Sequence, residues 1–388
     1  MPVTSCLEID LTRLEKNFLQ VREIVGPAVK ICGVVKADGY GLGAVPIARR
    51  LAGCGIDLLA VYSPSQALRL EDNGIVCPVM ILMPVRIPGE IIGLDKPLAE
   101  ERLHLTIHDE AQLDQVNALG RQFGCRIPVH LHLDTGMSRG GLDFGQLGLV
   151  LDVAPKLDRV RLAGLYTHFS ATDDDPGFSE QQMDRLTNSV EQYRSQLPSD
   201  LLIHAANTFG ILRDSQFHQS MVRVGLGLYG YGPRLMRNEQ PSSHLEDLYP
   251  VVRWTSQLVH VQPYGQGTVV GYNCTHRLQR DSRLGLVPVG YADGYPLALG
   301  GASVVEVLTD SSTRVPAPVL GKVNMDQIIV DLTDVPAMVN VGTSVELISS
   351  DPNSPCALEQ LAQHADSSCY ELLCRLSSRL PRRYLEET

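Results

Sequence analysis

The feature that most constrains the fold is an alternation, over roughly the first 240 residues, of short apolar runs with longer amphipathic segments. Strands that alternate with helices form parallel sheets, and about eight such units close a barrel. The clear strands are Ile31–Val35, Leu58–Val61, Val79–Leu82, Leu103–Ile107, Val129–Leu133, Leu162–Tyr166 and Leu201–His204, with an eighth expected at Met221–Leu226. The clearest helices are Ala44–Leu51, Ser65–Glu71, Asp109–Leu119 and Ser179–Gln196. We therefore predict an α/β protein with an N-terminal TIM-like (β/α)8 barrel rather than an open doubly wound sheet.

The pattern changes after about residue 240, where helical periodicity largely disappears. Pro241-Ser242-Ser243 is typical of a loop, and turns rich in Gly and Pro then separate strand-like runs. These runs are Val251–Val261, Thr268–Tyr272, Leu284–Val289, Ser303–Leu308, Val315–Val319, Gln327–Val330 and Ser344–Ile348, followed by a mixed tail from Ala357. We predict two domains, an α/β barrel over residues 1–240 and a mainly β domain over residues 241–388.

Charge and cysteine usage narrow the classes of function. The formal net charge is −11 and Lys and Arg do not cluster, which argues against nucleic acid or an anionic membrane as the main partner. Nine cysteines without a C-x-x-C pair indicate free thiols in a reducing compartment, with Cys369 and Cys374 as packing residues. The N-terminus does not resemble a secretory signal, and the most apolar stretch, Ile75–Pro84, is too short to span a bilayer. We expect a cytoplasmic protein without a metal site.

The strongest local signal is the segment from Val34 to Gly43, Val-Val-Lys-Ala-Asp-Gly-Tyr-Gly-Leu-Gly. A lysine that follows a barrel strand lies at the carboxyl mouth, where the active sites of such barrels are found. Partial desolvation there favours an uncharged, nucleophilic amine, which is what attachment to an aldehyde cofactor requires. The alternative is a lysine at a strand end beside an ordinary glycine turn, and the spacing alone leaves both readings open.

The segment resembles the lysine motif of the alanine racemase family, which belongs to the fold-type III pyridoxal-phosphate (PLP) enzymes. Further resemblances follow in the family's order along nearly the whole chain. They are Asp134-Thr135-Gly136-Met137-Ser138-Arg139, Tyr166-Thr167-His168-Phe169, His204-Ala205-Ala206-Asn207-Thr208, Arg223–Gly230, Gly271-Tyr272, Gly290–Pro296, Asn324–Gln327 and Tyr370-Glu371. One such match could arise by chance, but a collinear series is not expected to. The resemblance implies a homodimeric PLP enzyme that interconverts L- and D-alanine and supplies D-alanine for peptidoglycan.

The resemblance also implies two opposed bases. Lys36 would hold PLP covalently and act on one face of the substrate Cα, while Tyr272 from the partner subunit would act on the other face. Racemisation needs both, because the proton leaves one face and returns on the opposite one. His168 would support Tyr272, and Arg223 would link His168 to the pyridine nitrogen of PLP. Because arginine keeps its proton, the ring stays a weaker electron sink, which favours proton exchange over transamination.

The remaining contacts implied by the family surround the phosphate and the substrate. Hydroxyl groups and backbone amides would hold the phosphate, from Tyr40, Thr208, Tyr370, Gly225 and Leu226, with Asn207 also binding the cofactor. Arg139 would contact the cofactor's phenolic oxygen and the substrate carboxylate, which suits a guanidinium. The Met325 amide would be the second carboxylate donor, and Tyr291 would narrow the entrance. His204 and Asp326 are expected to support the site rather than perform chemistry.

Two positions depart from the family pattern. His132 stands where many members have a lysine that is carbamylated and orients the arginine matched by Arg139, so a bound anion, Asp134 or His132 itself must do so here. Leu42 replaces a histidine that is common in the lysine motif.

Other functions remain open on the sequence alone. A small pocket rimmed by Tyr272, Tyr291 and Tyr370 favours alanine, with serine as the nearest competitor because an added hydroxyl is hard to reject. A non-catalytic PLP carrier would not need Tyr272. A decarboxylase of the same fold type would pair the cofactor nitrogen with an acidic residue, where this chain has Arg223.

Overall fold

The computed structural model describes residues 4–86, 88–232, 234, 248–310 and 313–386. They form two compact units. The barrel unit comprises Leu14–Gly39 and Ala44–Leu248, and the β unit comprises Met1–Arg13, Tyr40–Gly43 and Tyr249–Thr388. The boundary near residue 240 and the loop at Pro241-Ser242-Ser243 lie outside the described residues, so that boundary stays a prediction.

The barrel unit contains a closed barrel of parallel strands. In chain order the strands are Lys30–Val34, Leu58–Val61, Val79–Ile81, Leu103–Ile107, Ile127–His132, Val160–Tyr166, Leu202–His204 and Met221–Val224. Each strand pairs with the next, and the last closes on the first with Val222 opposite Ile31. The barrel prediction and its eight strands are confirmed.

Helices follow most of the barrel strands and begin at the caps that the sequence provides. They are Ala44–Gly53, Pro64–Asp72, Asp95–Ala99, Glu110–Phe123, Phe144–Val153, Pro176–Gln192 and Thr208–Arg213. The Asp109 carboxylate accepts the Gln112 N–H, and Asp143 forms a reciprocal capping box with Gln146. The four predicted helices are confirmed.

A helix over Leu11–Val25, before the first barrel strand, is not among those predicted. Its buried positions Leu11, Leu14, Phe18, Val21 and Val25 recur every three or four residues, which is the signature of an amphipathic helix.

The β unit is built on a nine-stranded sheet. From one edge to the other its strands are His260–Tyr264, Ser282–Val287, Ile328–Asp331, Arg314–Leu320, Val304–Leu308, Ser344–Ile348, Val252–Gln257, Cys6–Asp10 and Arg382–Leu385. The last two come from the ends of the chain and are not among the predicted strands. Short helices cover Leu358–His364 and Cys369–Arg375.

Three sequence interpretations in this unit need correction. The run Val251–Val261 is two strands that take separate places in the sheet. The run Thr268–Tyr272 is a strand only over Val269–Val270, because Gly271 turns the chain with a φ of 71°. Cys369 is buried as expected of a packing residue, but Cys374 is exposed.

None of the helices in the described part of the chain is long and apolar enough to cross a membrane.

Candidate active site

The segment that follows Lys36 is a left-handed helical turn. Ala37, Asp38 and Gly39 have φ values of 52°, 55° and 63°, and Tyr40 follows with a φ of 56°. A left-handed conformation costs about 1–2 kcal/mol for each residue with a Cβ, so surrounding contacts must hold it. Asp38 provides one of them, because its Oδ1 accepts the Ala44 N–H at 2.9 Å and pairs with Arg69 at 2.9 Å. The glycines of the segment do not by themselves predict a left-handed conformation at Ala37, Asp38 and Tyr40.

Hydrogen bonds within the β unit fix the end of the same segment. The Gly41 carbonyl accepts hydrogen bonds from Arg382 Nε at 3.2 Å and Nη2 at 2.9 Å, and the Leu42 carbonyl accepts one from the Tyr384 hydroxyl at 2.9 Å. Gly41 is required there, since a Cβ would lie 2.6 Å from the Leu373 carbonyl oxygen. The Leu42 side chain is fully buried, so apolar packing replaces the polar group common at this position in the family.

Arg223 lies on the last barrel strand, 5 % exposed, with carbonyl and imidazole acceptors around both of its Nη atoms. Nη1 donates to His204 Nδ1 at 2.8 Å, and Nη2 donates to the Thr167 carbonyl at 2.8 Å and to His168 Nδ1 at 3.2 Å. Burial lowers the pKa of Arg223, but arginine remains a cation. Among the described residues none accepts a hydrogen bond from Nε, so this N–H is the donor available to a ligand.

Arg223 fixes the tautomers of the two histidines it contacts. Arginine can only donate, so Nδ1 of both His168 and His204 must be an unprotonated acceptor. Burial lowers the pKa of both imidazoles well below the ordinary value, so both are neutral and carry their proton on Nε2. His168 therefore presents an Nε2–H donor. The predicted link between Arg223 and His168 is present.

Backbone amides after the last barrel strand converge on Thr208. Its Oγ1 accepts the N–H groups of Gly225 at 3.4 Å and Gly227 at 3.1 Å. A Cβ on Gly227 would lie 3.1 Å from Thr208 Cγ2, so the glycine permits the close approach. Asn207 caps the helix that begins at Thr208, with its Oδ1 accepting the Gly210 N–H at 2.9 Å. Hydroxyl and amide donors of this kind suit a phosphate.

The two tyrosines expected at the phosphate meet within the β unit. The rings of Tyr40 and Tyr370 have centroids 5.7 Å apart and are tilted by 38°. Tyr40 is buried. The contact joins two residues that are far apart in sequence, and their part in holding a phosphate stays a prediction.

His132 lies in an aromatic cluster. Its ring stacks on Tyr166 with centroids 4.6 Å apart, and its Nδ1 is 3.3 Å from Nδ1 of His108. Burial, helped by His108, lowers the pKa of His132 to about 3, so the ring is neutral. Asp134 is occupied elsewhere, since its Oδ1 accepts the N–H groups of Gly136, Met137 and Ser138. His132 therefore brings no negative charge towards the exposed Arg139.

Three predicted site residues of the β unit are exposed on the single chain. Tyr272 is 68 % exposed on a tight turn, Tyr291 is 43 % exposed and Met325 is 55 % exposed. Tyr291 and Met325 belong to adjoining loops, because the Tyr291 N–H donates to the Asn324 carbonyl at 3.0 Å and the Ala292 N–H to the Met325 carbonyl at 3.0 Å.

Salt bridges hold the loops that carry Tyr291 and Met325. Arg379 pairs with Asp293 at 2.8 Å and with Asp326 at 2.6 Å. The same arginine thus pairs with an aspartate beside each of the two loop residues, and the role of Asp326 in presenting Met325 stays a prediction.

His104 and His130 are two polar residues of the barrel interior that the sequence did not identify. His130 Nδ1 is 2.9 Å from His204 Nε2, and His104 Nδ1 is 2.8 Å from His130 Nε2. The available signal was a polar residue at an inward position of an otherwise apolar strand.

Acid is expected to destabilise the fold through five histidines that are buried or partly buried: His104, His130, His132, His168 and His204. Burial lowers the pKa of His104 to about 4 and that of His132 to about 3, and it lowers the others well below the ordinary 6.5. In the unfolded chain each imidazole binds a proton near 6.5, so the unfolded state binds more protons as the pH falls. Each such histidine then lowers the free energy of unfolding by about 1.4 kcal/mol per pH unit, from about pH 6.5 down to its folded pKa.

Urea unfolding followed by fluorescence at about pH 7.5 and at about pH 5.5 checks this expectation. The midpoint should fall steeply at the lower pH. Equal midpoints would show that these imidazoles are not buried neutral groups.

Comparison with known proteins gives one consistent result. The sequence model of the family's N-terminal domain (alanine racemase, N-terminal domain) matches residues 9–233. That of its C-terminal domain (alanine racemase, C-terminal domain) matches residues 251–384. The alanine racemase of Halothermothrix orenii is 34 % identical over 384 residues, covering 97 % of this chain and 96 % of that protein. That of Nostoc sp. is 32 % identical over 385 residues, covering 97 % and 94 %.

Solved structures agree with this result. The alanine racemase from D-cycloserine-producing Streptomyces lavendulae superposes with a TM-score of 0.87 at 27 % identity, covering 100 % of this chain and 98 % of that one. The alanine racemase from Bartonella henselae, solved with covalently bound pyridoxal phosphate, has a TM-score of 0.83 at 25 % identity, covering 99 % and 100 %. The chain belongs to the alanine racemase family.

Proposed function

We propose that this chain uses PLP to interconvert L-alanine and D-alanine. The observation that carries the proposal is the position of Arg223, a buried cation held through both Nη atoms with its Nε–H available to a ligand. A permanently protonated group opposite the pyridine nitrogen suits proton exchange at Cα and disfavours transamination.

The residues present fit PLP. Arg223 Nε–H would meet the ring nitrogen, and the Thr208 hydroxyl with the amides near Gly225 and Leu226 would hold the phosphate, together with Tyr40 and Tyr370. Lys36 would supply the covalent link to the aldehyde, and Arg139 would meet the phenolic oxygen. When bound, PLP withdraws electrons from the substrate and thereby acidifies its Cα–H.

Two side chains of this protein would then move the proton. Lys36 acts on one face of Cα, and Tyr272 of the partner subunit acts on the other face. A phenolic oxygen needs a hydrogen-bond donor if it is to carry negative charge during turnover. His168 supports this role, because its Nδ1 accepts from Arg223 and its proton lies on Nε2. We assign that Nε2–H to the oxygen of Tyr272.

Substrate binding rests on charge and size. The Arg139 guanidinium and the Met325 amide would hold the carboxylate, and Tyr291 would narrow the entrance. Alanine is the substrate we propose, with serine tolerated more weakly. Chiral chromatography of alanine and serine incubated in parallel tests this preference, and faster inversion of serine would overturn it.

The assembly we propose is a homodimer with shared active sites. The exposure of Tyr272, Tyr291 and Met325 on the single chain supports it, since large side chains of this kind are enriched at interfaces. The location we propose is the cytoplasm, supported by nine free cysteines.

Mixing two inactive variants tests the shared site. Lys36→Ala and Tyr272→Phe subunits that exchange should form heterodimers in which one site keeps both bases. Random reassortment in a two-fold dimer puts about half of the molecules in this state, so about a quarter of the wild-type activity should return. Sites formed within one chain would regain none, because every chain carries one defect.

A further inference from the structure

Three histidines form a continuous hydrogen-bonded column behind Arg223. Arg223 Nη1 donates to His204 Nδ1 at 2.8 Å, His204 Nε2 is 2.9 Å from His130 Nδ1, and His130 Nε2 is 2.8 Å from His104 Nδ1. His204 stands at the end of its strand and His104 near the start of its own. The column therefore runs from the candidate site towards the opposite end of the barrel.

The direction of every hydrogen bond in the column follows from its first member. Because Arg223 can only donate, His204 Nδ1 accepts and the His204 proton lies on Nε2. That N–H can only donate to His130 Nδ1, which puts the His130 proton on Nε2, where it meets His104 Nδ1. Burial lowers the pKa of all three imidazoles, which keeps them neutral as this pattern requires.

The charged groups near His104, at the end of the column far from Arg223, also favour a neutral imidazole. Arg161 and Lys30 lie near His104 and, after burial, are the next causes of its lowered pKa. A proton added to His104 would place an N–H on Nδ1, opposite the N–H of His130. The cations therefore help to keep the His104 acceptor available.

The barrel backbone makes space for the central ring. The pairing register of the strands Ile127–His132 and Val160–Tyr166 shifts between Val129 and His130, and His130 then pairs with Gly164. A Cβ at position 164 would lie 2.2 Å from His130 Nδ1, so no residue with a side chain fits there while the ring keeps its place. A bulge and a glycine at one point are typical of a backbone adapted to a specific side chain.

We propose that His130 and His104 are positioning residues for the reaction, acting through His204 on Arg223. Without His130, the Nε2–H of His204 would be buried without an acceptor, which is costly. The ring could relieve that cost only by turning or by moving its proton to Nδ1, and either change would break its hydrogen bond with Arg223. The column thus holds the tautomer on which the position of Arg223 and its Nε–H depends. This inference rests on the proposed function for its effect on catalysis, but not for the tautomers.

The experiment compares His130→Gln with His130→Leu. Glutamine offers one acceptor and one donor, so it can continue the column, whereas leucine offers neither. Nitrogen-15 NMR of histidine-labelled holoenzyme reports the tautomer of His204, and the visible absorbance of bound PLP reports the surroundings of its ring. His218→Leu is the matched control, because His218 is also buried but its Nε2 donates to the Ile211 carbonyl at 3.0 Å, outside the column.

We expect wild type to show the Nε2–H tautomer at His204, and His130→Leu to lose it together with a shift of the PLP absorbance. The kcat of His130→Leu for alanine should fall about 10- to 100-fold, as for other partners that orient an active-site group from behind, with a much smaller change in KM. His130→Gln should restore kcat and the His204 tautomer, and His218→Leu should leave that tautomer unchanged.

A His130→Leu enzyme with the wild-type tautomer, absorbance and kcat would overturn the inference. If His130→Leu does not fold, His104→Leu tests the same column from its more accessible end, with the same readouts. A wild-type enzyme that shows the tautomers but does not racemise alanine would instead overturn the proposed function and leave the column in place.

Discussion

Replacing Tyr272 with phenylalanine is expected to lower alanine racemisation by about 10²- to 10⁴-fold, the usual contribution of a positioned acid–base group. The substitution removes only the phenolic oxygen, and the side chain is exposed on a turn of the β unit, so the fold should be unaffected. Chiral chromatography measures the loss. Cofactor absorbance should be unchanged, because Tyr272 has no part in holding PLP.

The same variant separates the two faces of the substrate. Lys36 remains, so one enantiomer of alanine should still exchange its Cα proton with deuterated water without inverting, as NMR would show. Tyr291→Phe is the matched control, since Tyr291 is an exposed tyrosine of the same unit assigned to the entrance rather than to proton transfer. Inversion by Tyr272→Phe at the wild-type rate would remove Tyr272 from the mechanism.

Replacing Lys36 with alanine is expected to have the larger effect. The variant loses both the covalent link to the cofactor and the base on one face, so racemisation should fall by at least about 10⁴-fold. Borohydride reduction followed by peptide mass spectrometry provides a second readout. Wild type should carry PLP on the peptide that contains Lys36, and the variant should carry none.

A small added amine such as methylamine provides the control for Lys36→Ala. If the amine is what the variant lacks, methylamine should restore part of the activity, whereas a misfolded variant would not respond. Reduced PLP found on another lysine of wild type would contradict the assignment.

Much of the barrel could be predicted because parallel strands buried on both faces read as apolar runs. The runs at Leu58–Val61 and Leu103–Ile107 have the observed bounds. The strand Arg382–Leu385 could not be found in this way, because Arg-Arg-Tyr-Leu has no apolar alternation and pairs only through its parallel neighbour Cys6–Asp10. The turn at Tyr272 ends an apolar run that is typical of a strand, but Gly271 ends the ladder by its backbone conformation.

The candidate site could likewise be predicted only in part from the sequence. Its residue types and order were readable, and the structure joins Arg223 to His168 as the resemblance implied, whereas the contact of Arg223 with His204 was not expected. The column beyond His204 was not readable, because its members come from strands far apart in sequence and its direction follows from a hydrogen-bond geometry. The left-handed turn after Lys36 also depends on contacts from outside the segment, such as those of Asp38.

The most direct test of the account is to incubate L-alanine with the PLP-loaded protein in deuterated water and to analyse both enantiomers by chiral chromatography and mass spectrometry. We expect progress to nearly equal amounts of L- and D-alanine, with deuterium at Cα in every molecule of D-alanine formed. Well-folded, cofactor-loaded protein that forms no D-alanine, or D-alanine that retains the original proton, would contradict it.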